Sequence, residues 1–398
     1  MNDARVTLGP EASSFVRGGG RDVVLQKLEL PAGLRPGQRA ILFDADSEEL
    51  GLAVHDPENG LLRVLAVPDD GFRAVDAALL GWRVEAACQL RRGLGLLDPS
   101  EPAACYRLVH GAGDGLPGFA CDVFGRHGVL YAYAEALMPL ALLLAEAIAG
   151  FARLDGVVVK QRSRTTAADG EVRQEIFGKA PAERYEAKES GVPFEIHPLG
   201  GLNAGLFTDM REQRRGLLRF TAQRRVLNLF SYTGALSVTC ARGGAASVTS
   251  VDTSAGVQAW AQGNFRRSGF DPADRRWRFE TGDAVRFLTR ADKDRERYDL
   301  ILIDPPTFST ARGKPWTLDR DYPELIGQAA AVLAPGGLLW LAANTHELGS
   351  LARLAHKGLR AAGRVGIVLE QGGLPPDYPT LVAQARDRYL QICLLRVA

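Results

Sequence analysis

The chain has 398 residues, and its 48 lysines and arginines nearly balance 47 aspartates and glutamates, which gives a formal net charge of +1. This length allows two or three domains with sizeable cores, and the apolar fraction of 46% is that of an ordinary globular protein. The near-neutral balance excludes a strong overall attraction to a polyanion, so any nucleic-acid contact has to depend on local basic clusters.

The cysteines and histidines give no sign of a metal site. The five cysteines are scattered without C-x-x-C spacing, and the six histidines form no H-x-x-x-H pair. We therefore expect no metal. Sparse cysteines indicate a reducing compartment, and the first residues lack the apolar core of a signal peptide. We expect a cytoplasmic protein with no membrane partner.

The first segment, residues 1–71, consists of short apolar runs separated by glycine, proline and aspartate. This pattern is typical of a small β-barrel. The expected strands are Val6–Leu8, Val23–Leu25, Ala40–Phe43, Leu50–Val54 and Leu61–Ala66.

The second segment, residues 72–188, is expected to form a middle α+β domain. Asp76–Leu94 has the pattern of an amphipathic helix. The apolar stretch Val129–Gly150 is interrupted by two glutamates and a proline, so a strand followed by a helix explains it better than a membrane span. A polar stretch, Ala182–Ser190, is expected to be a linker. Strands are expected near Gly118–Val123, Val129–Ala132 and Gly156–Gln161.

The third segment, residues 189–398, alternates apolar strands with helix-like stretches, which predicts an open, Rossmann-like parallel α/β sheet. The strand Val226–Phe230 is followed by the turn Ser231–Gly234. Ligands of such sheets bind beyond the carboxyl ends of the strands. Three of these ends carry Asp252, Asp283 and Asp304. We therefore expect a binding site here rather than a chance scatter of acids.

The order of these pieces indicates which ligand binds. The turn Ser231–Gly234 lacks the G-x-G-x-x-G of a dinucleotide site, and no G-x-x-x-x-G-K-[ST] phosphate loop is present. Asp252 ends the second strand about twenty residues after the turn, which suits a bidentate grip on a ribose diol. Asp283 can accept a hydrogen bond from an adenine amino group. Ribose and adenine without a diphosphate indicate S-adenosylmethionine (SAM) as the cofactor.

The motif Asp304-Pro305-Pro306-Thr307-Phe308 indicates the substrate. Two prolines fix φ and remove two backbone donors, which makes a rigid bend after a buried strand. A free carbonyl at the bend can accept from a base amine, and Phe308 can stack on a flat ring. Enzymes that modify nucleobases combine such edge hydrogen bonds with stacking. The alternative is an ordinary proline loop that ends a strand.

Four motifs give the chain a resemblance to bacterial large-subunit (23S) ribosomal RNA methyltransferases: Arg107–Gly118, Asn203–Arg211, Leu227–Gly234 and Asp304–Ser309. The resemblance implies an N-terminal PUA domain at residues 1–71 and a C-terminal class I SAM-dependent methyltransferase domain at residues 189–398. It also implies that SAM is lined by Ser231, Tyr232, Gly234, Asp252, Asp283 and Asp304, and that Phe207, Asp209 and Arg211 close the pocket.

Within this family the chain is more similar to the guanine-N7 branch than to the cytosine-5 branch. Methylation of cytosine C5 requires a cysteine thiolate that adds to C6, whereas guanine N7 already carries an in-plane lone pair. The stretch Leu338–His346, after the proline motif, contains no cysteine, and Cys393 is expected in the core. The expected catalytic residues are therefore Asp304, Pro305, Pro306, Phe308 and Asn344.

Ribosomal RNA is the expected partner, and the resemblance alone implies a homodimer. The six arginines within Arg211–Arg225 are expected to contact RNA, unless they form a solvated helix face. The glycine-rich Gly111–Gly118 is either a tight hairpin, which we favour, or an RNA-facing loop. Three other functions remain open: a cytosine-5 rRNA methyltransferase, an RNA-binding assembly factor that keeps a SAM pocket, and a small-molecule methyltransferase.

Overall fold

The computed structural model describes residues 3–98, 100, 104–162, 172–306, 317–345 and 350–398. Within it the chain forms two units. Unit 1 comprises Met1–Gly191, Ile196–Thr208 and Pro376–Asp387, and unit 2 comprises Val192–Glu195, Asp209–Pro375 and Arg388–Ala398. The chain therefore passes several times from one unit to the other. The division into consecutive domains at residues 71 and 188 stays a prediction.

All five strands expected before residue 71 are present. They form one sheet in the order β1-β3-β4-β5-β2. Their bounds are β1 (Ala4–Thr7), β2 (Asp22–Val24), β3 (Arg39–Phe43), β4 (Glu49–Asp56) and β5 (Leu61–Ala66). Helix α1 (Pro10–Arg17) was not predicted, although Pro10 at its first position and Glu11 in its first turn are ordinary signals of a helix start.

The middle of unit 1 is a second five-stranded sheet, in the order β10-β9-β8-β7-β6. Its strands are β6 (Cys105–His110), β7 (Phe119–Phe124), β8 (His127–Ala132), β9 (Gly156–Gln161) and β10 (Gln174–Gly178). Two helices accompany it, α2 (Ala77–Gly93) and α3 (Met138–Ala152). The carboxylate of Asp76 accepts from the backbone N–H groups of Ala78 and Leu79, so α2 begins where the sequence predicted.

Helix α3 is part of the apolar stretch that had to be distinguished from a membrane span. By length and composition alone, Glu135–Ala152 could cross a membrane. In the fold, α3 connects β8 to β9, which pair in parallel, as a helical crossover does. The strand followed by a helix is therefore confirmed. The face of α3 that is buried in unit 1 consists of Ala141, Leu144, Ala145, Ile148 and Ala152.

The glycine-rich motif after β6 holds a distant piece of the chain. Residues 111–118 connect the antiparallel strands β6 and β7, so the favoured hairpin is confirmed. Arg91, which is fully buried, donates to the carboxylate of Asp114 at 2.9 Å and to the carbonyl oxygen of Asp377 at 2.6 Å. The backbone N–H of Arg107 donates to the carboxylate of Asp377 at 2.9 Å. These bonds fix the segment Pro376–Asp387 within unit 1.

The linker expected at Ala182–Ser190 is wrong, because Tyr185–Glu189 forms strand β11. Ala187 and Glu189 are buried, while Glu186 and Lys188 are exposed. This period-two burial is the strand signal that the polar composition concealed. Strand β12 (Val192–Ile196) follows it.

Unit 2 is built on a seven-stranded sheet in the order β15-β14-β13-β16-β17-β19-β18. Its strands are β13 (Arg225–Leu229), β14 (Ser247–Asp252), β15 (Trp277–Thr281), β16 (Tyr298–Ile303), β17 (Leu333–Asn344), β18 (Gly366–Gly372) and β19 (Leu390–Val397). Strand β19 runs antiparallel to both of its neighbours, and the other pairs of neighbouring strands are parallel. The parallel α/β sheet is confirmed, and the strand order reverses between β13 and β16, where such sheets bind ligands.

In the described part of unit 2, one α-helix precedes β13 and each of the others follows one of the strands β13 to β17. They are α4 (Arg211–Leu217), α5 (Ala235–Arg242), α6 (Ala255–Arg267), α7 (Ala284–Lys293), α8 (Leu318–Ala331) and α9 (Leu351–Ala361). Helices α7, α8 and α9 contribute to one apolar core with the buried strands β13, β16 and β17. This core fixes the strands whose carboxyl ends carry the expected site.

Gly113→Ala should destabilise unit 1, because a Cβ at this position would lie 1.8 Å from the carbonyl oxygen of Pro379. Backbone has to move to relieve such a contact, and we expect a loss of about 1–3 kcal/mol. The measurement is the thermal midpoint by calorimetry. In the control, Gly150→Ala in helix α3, the new Cβ meets nothing within 4 Å. It should raise the midpoint, since alanine favours a helix by about 0.5–1 kcal/mol. Equal changes in the thermal midpoint of the two variants would contradict the close contact between Gly113 and Pro379.

Candidate active site

The turn after β13 has an unusual backbone. Phe230, Tyr232 and Gly234 all have positive φ values, of 58°, 47° and 77°. Left-handed conformations at non-glycine residues are costly and persist only where surrounding contacts enforce them. Glycine is required at 234, because a Cβ there would lie 2.8 Å from the Cβ of Ala261 on α6. The turn is therefore pressed against this helix.

Asp252, the last residue of β14, holds the turn in place. One carboxylate oxygen accepts from the backbone N–H of Tyr232 at 3.0 Å, and the other accepts from that of Ser254 at 3.1 Å. The N–H of Ser231 donates to the carbonyl oxygen of Val251 at 3.0 Å. Each carboxylate oxygen accepts one of these bonds and can accept another. Asp252 can therefore hold the turn and still bind two hydroxyl groups of a ligand.

Asp283 lies beyond the next strand and begins helix α7. Its carboxylate accepts from the N–H of Arg286 at 2.9 Å, which is the bond of an N-cap. The N–H of Gly282 donates to the carbonyl oxygen of Asp252 at 2.8 Å, so the ends of β14 and β15 lie side by side. The structure thus brings Asp252 and Asp283 to one edge of the sheet, as expected.

Asp304 follows β16 and has a different environment. The pKa of this half-buried carboxyl is raised to about 7, because burial and then the nearby carboxylate of Asp209 raise it while the guanidinium of Arg214 opposes the shift. Asp209 is buried and accepts a hydrogen bond from the hydroxyl of Tyr389 at 3.0 Å. A carboxyl poised near neutrality at a strand end is typical of a functional site. Pro305 is buried and Pro306 exposed.

The other expected site residues fall in several places. Asn344 ends β17 and is exposed. Arg211 is buried in unit 2, whereas Phe207 belongs to unit 1 and is exposed. Phe308 lies outside the described residues.

The RNA-contacting role expected for Arg214 is wrong. Its side chain is buried, with the residue only 5% exposed, and its charge acts on Asp304. By contrast, the side chain of Arg215 is 73% exposed and lies 3.7 Å from Glu212.

Two buried side chains at this edge were not foreseen. Gln258 on α6 and Tyr322 on α8 are both buried and bond to carbonyl oxygens near the strand ends. Their positions in the sequence indicated bonded side chains, because a polar residue on the apolar face of an amphipathic helix requires a hydrogen-bond partner. The partners are distant in sequence, so the pattern alone did not identify them.

Comparison with known proteins identifies the family. A family model described as S-adenosylmethionine-dependent methyltransferase matches residues 140–392. The chain belongs to this family. It is 30% identical over 376 residues to a ribosomal RNA large subunit methyltransferase of Deinococcus radiodurans, a match that covers 91% of this chain and 89% of the relative. The SAM-dependent methyltransferase assignment makes the protein an enzyme and SAM its cofactor.

Other relatives of this SAM-dependent methyltransferase have related names. The ribosomal RNA large subunit methyltransferase I of Klebsiella pneumoniae (strain 342) is 28% identical over 373 residues, which cover 91% of this chain and 90% of that protein. The methyltransferase K/L of Pseudomonas syringae pv. syringae is 40% identical over 190 residues, which cover 47% of this chain and only 24% of that longer protein.

Solved structures support the fold. A structure assigned to a SAM-dependent methyltransferase of Streptococcus mutans matches with a TM-score of 0.85 and 23% identity, over 99% of this chain and 100% of that one. A methyltransferase structure complexed with S-adenosylhomocysteine matches with a TM-score of 0.87, at the same identity and coverage. The α/β class I methyltransferase fold expected from the sequence is thereby confirmed.

Asp304→Asn should change how stability depends on pH. The pKa of Asp304 is raised to about 7, so between about pH 4 and pH 7 the folded protein keeps a proton that the unfolded chain has lost. The contribution of Asp304 to the free energy of unfolding therefore falls as the pH rises through this window and is constant above it. Relative to the variant, the parent should lose about 2–4 kcal/mol between pH 5 and pH 8, measured as thermal midpoints.

Asp299→Asn is the matched control, because Asp299 lies near the other end of the same strand. Its hydrogen bond to Arg225 lowers its pKa, and burial opposes the shift. Its contribution is present above the ordinary aspartate pKa and is lost only when the pH falls through the lowered value. This variant should therefore be destabilised by the same amount at pH 5 and pH 8. Parallel curves for the parent and Asp304→Asn would contradict the raised pKa.

Proposed function

We propose that this enzyme methylates a base of large-subunit ribosomal RNA, at guanine N7 by direct transfer. The relatives that match nine-tenths of the chain carry the name of ribosomal RNA large subunit methyltransferases. We favour guanine N7 over cytosine C5 as the methylated atom because all five cysteines are buried. Transfer to cytosine C5 needs an accessible thiolate, whereas transfer to N7 needs only orientation.

The cysteine that had to be considered as a nucleophile is Cys393. It is fully buried on β19, paired with Leu341 of β17, and belongs to the core of unit 2. Burial raises the pKa of its thiol, which disfavours the thiolate. The cytosine-5 alternative therefore lacks a nucleophile at the carboxyl edge of the sheet.

Asp252 and Asp283 are proposed to hold the adenosine part of SAM. Asp252 has acceptor capacity left for the two ribose hydroxyls, and Asp283 carries a carboxylate of the kind that accepts from an adenine amino group. The structure thus supplies acceptors of the kind that these groups require. Bound SAM supplies an electrophilic methyl group. The proposed pocket is completed by Ser231, Tyr232 and Gly234 of the turn, and by Asp209 and Arg211 of unit 2. A contact of Phe207 with SAM stays a prediction from the sequence.

The residues after β16 are proposed to orient the base. The bend at Pro305 and Pro306 would offer carbonyl oxygens to the edge of a base, and Asn344 on the adjacent strand β17 would donate or accept at its edge. Stacking by Phe308, which lies outside the described residues, stays a prediction from the sequence. Guanine N7 then lies in line with the methyl group, and no covalent intermediate is required. The Asp304 carboxylate, when ionised, is proposed to face a cationic cofactor and a base that becomes cationic on methylation.

The rest of the chain is proposed to present the RNA. Residues 1–71, with their five-stranded sheet, would act as a PUA-like RNA-binding domain, 72–188 as a middle domain and 189–398 as the methyltransferase domain. A small substrate needs neither of the first two, which disfavours the small-molecule alternative. We place this enzyme in the cytoplasm with ribosomal RNA as its partner, and expect a homodimer.

Asp252→Ala should weaken SAM binding. The substitution removes a charge-assisted contact to the ribose and also releases the strained turn, so we expect a loss of about 1.5–3 kcal/mol of binding free energy. Isothermal titration calorimetry measures it. Asp274→Ala is the control, because Asp274 lies in the loop before β15 and pairs with Arg276. An Asp252→Ala affinity within about twofold of the parent would refute the ribose assignment.

Nucleoside mass spectrometry of RNA methylated in vitro tests the proposed reaction. Deproteinised ribosomal RNA and 50S precursor are each incubated with the enzyme and labelled SAM. We expect 7-methylguanosine in at least one of them, and we expect Cys393→Ala to retain that activity because its thiol is a core group. Formation of 5-methylcytidine would overturn direct transfer. Tight SAM binding without label in any RNA would favour the assembly-factor alternative.

A further inference from the structure

The carboxyl edge of the unit 2 sheet contains two buried side chains that bridge neighbouring strands. Gln258 bridges β14 and β15, and Tyr322 bridges β16 and β17. Strands of a twisted sheet are rotated relative to one another, so side-chain bonds can supplement the backbone bonds that align neighbouring strand ends. A donor from a helix can hold two such strand ends at a fixed separation. The two bridges lie on opposite sides of the reversal in strand order, so they can act on different parts of the site.

Gln258 acts on the strands that carry the proposed cofactor residues. Its amide nitrogen donates to the carbonyl oxygens of Ser250 at 3.1 Å and of Glu280 at 3.0 Å. A third, longer contact of 3.4 Å reaches the hydroxyl of Ser231. Ser250 precedes Asp252 by two residues, and Glu280 precedes Asp283 by three. One amide group therefore connects β14, β15 and the turn after β13.

Tyr322 acts on the strands that carry the proposed transfer residues. Its hydroxyl oxygen lies 2.9 Å from the carbonyl oxygen of Ile303 and 2.7 Å from that of Ala342. Ile303 directly precedes Asp304, and Ala342 lies two residues before Asn344. Burial, and then the Asp304 carboxylate, raise the pKa of Tyr322 well above its ordinary value, so the hydroxyl remains a donor.

We propose that Gln258 and Tyr322 are positioning residues with separate tasks: Gln258 sets the cofactor side of the site, and Tyr322 sets the methyl-transfer side. In the proposed site both act through the strand ends that they bridge. The division follows from their partners, because the described bonds of Gln258 involve the turn, β14 and β15, and those of Tyr322 involve β16 and β17. The methylation rate tests this inference only if the proposed function holds. The SAM dissociation constant tests it without that assumption.

The test compares Gln258→Met and Tyr322→Phe with a matched control, Tyr298→Phe. Tyr298 is the first residue of β16, and its hydroxyl donates to Glu296 at 2.6 Å at the opposite end of the strand. The control loses a buried hydroxyl from the same sheet without changing the carboxyl edge. For each variant we measure the SAM dissociation constant by calorimetry, the single-turnover methylation rate of ribosomal RNA at saturating SAM, and the thermal midpoint.

Gln258→Met should raise the SAM dissociation constant about tenfold and leave the rate at saturating SAM within about twofold of the parent. Tyr322→Phe should leave the dissociation constant within about twofold and lower the rate about tenfold or more, because small misplacements of reacting groups are costly. Tyr298→Phe should change neither quantity by more than about twofold. A general loss of stability would not change the SAM dissociation constant and the methylation rate independently of each other.

The inference is overturned if Gln258→Met binds SAM as the parent does, if Tyr322→Phe weakens SAM as much as Gln258→Met, or if Tyr322→Phe methylates at the rate of Tyr298→Phe. If Gln258→Met does not fold, Gln258→Asn takes its place, since it keeps the amide but shortens its reach by one methylene. If the parent methylates no RNA, the proposed function fails, and the SAM affinities of the variants still decide the cofactor half of this inference.

Discussion

The site depends first on the bond between the Asp252 carboxylate and the backbone of the turn after β13. Phe230 and Tyr232 have left-handed conformations that non-glycine residues adopt only when neighbouring groups enforce them. The N–H of Tyr232 is held by Asp252, and the N–H of Ser231 by the carbonyl oxygen of Val251. Without these acceptors at the end of β14, the turn would relax and expose different groups. The residue proposed to bind ribose therefore also shapes the backbone beside it.

The acids at this edge of the sheet are distinguished by their surroundings. Asp252 and Asp283 each accept backbone N–H bonds that hold their carboxylates in place. Burial and the nearby Asp209 carboxylate instead raise the pKa of Asp304, and the Arg214 guanidinium opposes this shift. Three aspartates at equivalent strand ends are thus suited to different tasks, the first two as fixed acceptors and the third as a group that changes charge near neutral pH.

Patterns local in the chain were predictable, and long-range partners were not. The first five strands, the start of α2 at Asp76 and the strand ends at Asp252, Asp283 and Asp304 follow from periodicity and capping residues. Strand β11 was concealed because its buried positions include Glu189. The burial of Arg214 and the bridges made by Gln258 and Tyr322 were also missed. Each depends on which distant element packs on a residue, and spacing within one helix does not contain that information.

The motif Arg107–Gly118 shows that a family signature can be structural rather than chemical. The guanidinium of Arg107 forms two bonds with Asp122, at 2.8 and 3.1 Å, and lies over the ring of Tyr378. The hydroxyl of Thr208 bonds to the same tyrosine. These groups are occupied in holding remote segments of the chain within unit 1, and a guanidinium so engaged is a poor candidate for phosphate binding. The signature therefore supports the fold without locating a substrate.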